Sequence, residues 1–161
     1  MAQRLALAAV LATGAGGCGD TAPSTDAQPA IDAFAFVRDE GNILSPGQER
    51  RAERELRDIA TRTGVFGVLV TRADDEETDP PQIYRPIVAE VEALGGEGLI
   101  NICTPEACGP DAGSAHTDGL TEAVEAVRAE RPAVAPGQRR NVNQGIREWL
   151  DVVAAVAAAN R

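Results

Sequence analysis

Short continuous apolar runs and stretches of helical spacing alternate along this chain, and the alternation predicts its elements. Ala33-Phe-Ala-Phe-Val37 is a compact apolar run ending at Arg38-Asp39-Glu40-Gly41, which reads as a strand and a turn. After the small plug Ile43-Leu44 comes Ser45-Pro46-Gly47-Gln48, a helix start. Ser45 can accept a backbone N–H, Pro46 suits the first helical position and Gln48 completes a capping box. Ala52, Leu56, Ile59, Ala60 and Thr63 then recur at helical spacing with Arg and Glu between them, and Gly64 supplies the stop. Val65–Thr71 is β-branched and apolar throughout, as a central strand would be.

Beyond it, Ala73–Pro81 is an acidic loop. A second helix is predicted over about Gln82–Leu94, with Ile83, Ile87, Val88, Val91 and Leu94 inward. Pro86 falls near its first turn and predicts an irregular end there, or a start at that residue. Gly95-Gly96 breaks this helix before a third strand, Gly98–Cys103. Leu120, Val124 and Val127 mark a helix near Asp118–Glu130. After Pro132–Gly137, a long helix over about Arg139–Ala159 buries Val142, Ile146, Trp149, Leu150 and Val153. Strand, helix, strand, helix, strand predicts an α/β fold: a mainly parallel central sheet covered by helices, with a helical C-terminal part. The chain contains no internal repeat.

The first thirty residues follow a different logic. Arg4, the apolar run Leu5–Ala12 and the small residues Thr13–Gly17 read as an export signal over 1–17. Cys18 directly after it resembles the acylated cysteine of a bacterial lipoprotein. Ala15, Gly16 and Gly17 fill the lipobox positions, two of them well, while the usual Leu is missing. An ordinary cleaved secretory signal and an uncleaved start are the alternatives. A transmembrane anchor is the weakest option, because a bilayer span needs roughly 20 apolar residues. Residues 18–30, small, polar and Pro-containing, suit a flexible tether from the lipidated Cys18. Residues 31–161 then form a single domain, and the expected location is the bacterial cell envelope, with the membrane as partner through the N-terminal lipid.

Charge narrows the partners. The chain carries a formal −10 with 25 acids against 15 bases, and every base is arginine. That balance argues against a nucleic-acid partner, whose phosphates need a basic footprint, and against electrostatic adhesion to anionic lipid heads.

Three groups of residues could carry chemistry. Cys103 and Cys108 remain after Cys18, and four intervening residues including Pro105 allow the Cα separation a disulfide needs. In an exported protein a structural disulfide is the default, since a redox pair would prefer two intervening residues and a zinc site lacks partner ligands. His116 in Gly113-Ser-Ala-His-Thr-Asp118 spells a Ser/His/Asp trio, but neighbours in one loop do not converge as a triad, and an exposed loop histidine is expected. The acids form the one constellation. If the strands are parallel, Asp39, Glu40, the Asp74–Asp79 run and Glu106 all leave the sheet at its carboxyl edge, where open α/β sheets bind ligands. Glu97 would start from the opposite end. Clustered oxygens suit Ca²⁺ or Mg²⁺, with Asp39, Glu40, Asp74 and Asp75 as candidate ligands, although an acidic run is more often a solvated face.

The order of elements resembles the TPM domain family, which includes thylakoid-lumen proteins and many bacterial envelope proteins. The likeness begins at Phe36-Val-Arg-Asp-Glu-Gly-Asn-Ile-Leu-Ser-Pro46 and continues through Thr63–Thr71 and Gly98–Ile102. It ends in a Gly145-Ile146-containing helix and spans residues 36–157. The family's Asp-Asn-Gly before the third strand is Gly96-Glu97-Gly98 here. Its following hairpin, with an Arg and a Gly-Tyr-Gly turn, is replaced by Cys103-Thr-Pro-Glu-Ala-Cys108 and a Gly/Ser/Ala loop. Asp39 is the acidic family position that survives. The resemblance implies an envelope domain. Phosphatase or cation-binding activity described for some members does not carry over where those positions differ. The expected function is a non-catalytic, envelope-anchored accessory or interaction domain with an envelope protein as partner. The alternative is a divalent-cation-dependent, phosphatase-like hydrolase.

Overall fold

In the computed structural model, residues 28–73, 79–109, 115–131 and 141–161 are described. The elements are α1 (Gln28–Ala33), β1 (Val37–Asp39), α2 (Pro46–Thr63), β2 (Val65–Thr71), α3 (Pro80–Ala93), β3 (Glu97–Cys103), β4 (Ala115–His116), α4 (Thr121–Glu130) and α5 (Val142–Ala159). A 3-10 turn over Asp118–Leu120 leads into α4. The strands lie in the order β1-β2-β3-β4. The first three are parallel and β4 pairs antiparallel with β3, so the fold is the expected α/β arrangement with a helical C-terminal part.

Burial explains the order. All seven residues of β2 are buried, which requires cover on both faces of the sheet. A Cβ at Gly67 would meet Leu56 of α2 and Val153 of α5, so those two helices share one face. A Cβ at Gly98 would meet Val91, which puts α3 on the other. α2 forms where its local code says it should. Ser45 accepts from the Gln48 N–H at 3.3 Å while Gln48 accepts from the Ser45 N–H at 2.6 Å, and Gly64 closes the helix at φ 73°. In α5 the periodic residues Ile146, Trp149, Leu150 and Val153 are buried as expected, with Val142 half-buried.

Two expectations are corrected. The Ala33–Val37 run is not one strand. Gln28–Ala33 is helical, overlapping the residues assigned to the tether, and the ladder is confined to Val37–Asp39. The cause is Arg57 of α2, which donates to the carbonyls of Ile31 (3.0 Å), Asp32 (2.5 Å) and Phe34 (3.4 Å), tying down the chain before β1. Phe34 and Phe36 still alternate inward, meeting Phe66 at centroid distances of 5.3 and 5.8 Å. The second helix begins at Pro80 and runs through Pro86 without breaking. Pro80 and Pro81 occupy first-turn positions where no N–H is required. Pro86 removes a bond from the Gln82 carbonyl, and both residues are exposed, where an unpaired carbonyl costs little.

Candidate functional site

The three parallel strands end level. Asp39 pairs in register with Thr71, and Thr71 with Cys103, so the carboxyl edge carries an aspartate, a threonine and the disulfide side by side. The Asp39 carboxylate has about three of its four acceptor sites taken. Oδ1 accepts the Ile43 N–H at 3.0 Å and the Thr71 hydroxyl, and Oδ2 accepts the Leu44 N–H at 3.3 Å. Thr71 Oγ1 in turn accepts the Gly41 N–H at 3.3 Å. The chain reverses here through Asn42 at φ 50°, a left-handed position that Asn tolerates. Asp39 thus orders the turn that delivers Ser45 to the start of α2.

Glu40 takes Arg72 Nη1 at 2.9 Å, one oxygen of a half-exposed ion pair. Asp74 and Asp75, the other two candidate ligands, lie outside the described residues. Glu106 is exposed within the disulfide loop. Asp79 precedes α3 without a side-chain cap bond. Glu97 stands at the other end of β3, where it accepts the Thr117 hydroxyl, and does not join the edge. Among the described residues, no group of three or more His, Cys, Asp or Glu side chains is placed to hold a metal ion.

Cys103 and Cys108 are joined, with Cα atoms 4.4 Å apart. The loop they close is ordered by the Thr104 N–H on the Ala107 carbonyl and the Ala107 N–H on Thr104 Oγ1, each 3.0 Å. It also docks α5: a Cβ at Gly145 would stand 2.5 Å from the Cys108 carbonyl oxygen.

His116 lies in β4 rather than in an open loop and is half-buried. Burial holds its imidazole below the ordinary 6.5, helped by Arg128 and partly opposed by Asp118. Ser114 lies outside the described residues.

Two features are not visible in the residue pattern. The first is Asn101, fully buried in β3, whose Oδ1 and Nδ2 have no partner among the described residues. The Nε1 of buried Trp149 is in the same condition. The second is a cleft of about 290 Å³ between the N-terminal halves of α2 and α5, opening beside the carboxyl edge. Ala52, Ile146 and Leu150 line its apolar part, while Arg51, Arg147 and Asn143 bring polar groups. A bond from Gln48 Nε2 to Asn143 Oδ1 ties the two helix starts together. The residues that meet here are about ninety positions apart in sequence, so periodicity could not pair them, although each helix start was legible alone.

Neither the known protein-family models nor the curated proteins give a match to this chain. Among the described residues, no helix is long and apolar enough to cross a membrane.

Proposed function

We propose that this chain is a non-catalytic, TPM-like accessory or interaction domain, held at the bacterial cell envelope by a lipid on Cys18. The occupation of Asp39 carries the reading. The one acidic position retained from the family pattern spends its carboxylate on two backbone N–H groups and a hydroxyl within its own turn. A cation ligand or general base needs oxygens turned toward a ligand instead. The ion pair between Arg72 and Glu40 supports the same view, since it partly neutralises the neighbouring acid.

Two measurements test the proposal. The full chain, incubated with an aryl phosphate and Mg²⁺ or Ca²⁺, is expected to release no phosphate. Release that disappears in Asp39→Ala, measured where its urea midpoint shows the variant still folded, would establish the hydrolase alternative instead. Mass spectrometry of the N-terminus is expected to find Cys18 first and acylated, and Cys18→Ser should leave the membrane fraction. Several acyl chains at ~0.8 kcal/mol per buried CH₂ anchor firmly where one is marginal. A free amine at another residue, without lipid mass, would make the protein a secreted one.

A further inference from the structure

We propose that the cleft between α2 and α5 is a docking site for the C-terminal end of a partner polypeptide, taking its carboxylate together with an apolar last side chain. The inference rests on the interaction-domain reading and names the surface and the chemistry that reading lacks.

Charge segregation is the first observation. The chain holds 25 acids against 15 arginines, yet among the described residues no acid lines this cleft, while Arg51 and Arg147 both do. Arg147 has no hydrogen bond or ion pair among the described residues. Arg51 gives its Nε to Glu55 at 2.7 Å, which leaves its two terminal nitrogens for another acceptor.

The rim also holds unspent donors. Gln48 spends its carbonyl on the Ser45 N–H and its amide N–H on Asn143 Oδ1. Asn143 therefore has its Nδ2 donors left. Ser45 Oγ already accepts from the Gln48 N–H and has its own proton to give. A rim of donors and cations calls for an anion that accepts several bonds at once, and the planar guanidinium fork matches a carboxylate.

The floor and the size select the rest of the ligand. Ala52 is fully buried, and Ile146 and Leu150 are each 6% exposed, so the base of the cleft is apolar. At about 290 Å³ it falls at the lower limit of small-molecule pockets, which run from roughly 300 to 1,000 Å³. One aliphatic side chain fits on that floor with its carboxylate at the arginines, and the rest of a chain leaves through the open side. Capture of a polypeptide carboxylate by a nest of backbone N–H groups is a known recognition mode, and here side-chain donors take that part.

The test is an NMR titration of the full chain carrying Cys18→Ser, with N-acetyl-glycyl-leucine as the free acid and as its C-terminal amide. The acid should move the Gly47, Ile146, Arg147 and Leu150 amide resonances saturably. The amide should bind at least about tenfold more weakly, and Arg51→Gln and Arg147→Gln should each cost about tenfold in affinity for the acid. Both arginines are exposed, so unchanged urea midpoints would show that the variants fold. Equal binding of acid and amide, full binding by both variants, or no saturable shift would overturn the site and leave the interaction-domain reading standing. Inorganic phosphate binding the same resonances as tightly as the acid would overturn the polypeptide assignment. Phosphate release that depends on Asp39 would refute the interaction-domain reading separately, since Asp39 does not line the cleft.

Discussion

Asp39 satisfies two backbone donors and one hydroxyl in the turn between β1 and α2, and Leu44, one of those donors, is buried. Truncation leaves these groups unpaired. Asp39→Ala is therefore expected to destabilise the fold by about 2–3 kcal/mol, seen as a lower urea midpoint with an unchanged slope. A variant as stable as the parent would free Asp39 for another role. His116 makes a second prediction. Its folded-state pKa lies below the ordinary 6.5 because of burial and Arg128, so the unfolded chain binds the proton more readily. The stability it contributes is fully present above pH 6.5 and falls as the pH drops below that value, levelling off under the folded pKa. NMR titration should place its midpoint below 6.5, and His116→Gln should flatten stability across that window.

At the scale of elements, α2 is the organiser. Its Glu53 accepts the Val37 N–H at 2.9 Å and pairs with Arg57 at 2.5 Å. Arg57 then holds the carbonyls before β1 and lies 5.3 Å from the Phe36 ring centroid. An i,i+4 pair that on sequence reads as a solvated face thus clamps α1 and β1 to the helix. α5 depends on a different close approach. Gly145 abuts Cys108 so closely that an added methyl group must push backbone rather than a flexible side chain. Gly145→Ala should cost about 1–3 kcal/mol in thermal or urea unfolding. No loss would mean that α5 rides further from the disulfide loop in solution.

Across the whole molecule, the carboxyl edge gathers the fixed points: the Asp39 turn, the Arg72–Glu40 pair, the disulfide loop and the starts of α2 and α5. Closing so small a ring contributes little chain entropy. Reduction of Cys103–Cys108, or the double replacement by Ala, should lower stability by about 2 kcal/mol and leave a folded domain. Because the loop seats α5, hydrogen exchange should then quicken first around Gly145 and Ile146 rather than across β2. Uniform exchange throughout the chain would show that the disulfide is remote from the docking of this helix.

What this sequence determined by itself was whatever depends on neighbours within about one turn or one strand. The Ser45–Gln48 capping box, the Gly64 stop, the all-apolar β2 and the inward stripe of α5 are such features, and from their order came the parallel sheet. The short Cys103–Cys108 pairing was legible for the same reason: five positions are closed by a local turn. Tertiary structure decided the rest. Arg57 reaches Ile31 across 26 positions, Thr71 reaches Asp39 across 32 and Gln48 reaches Asn143 across 95. Those contacts made Asp39 a turn residue, cut β1 to three residues and built a cleft that neither helix has alone. A side chain's bonding capacity is written in its residue type, but its partner is chosen by packing, because helical and strand spacing carry no information across such separations.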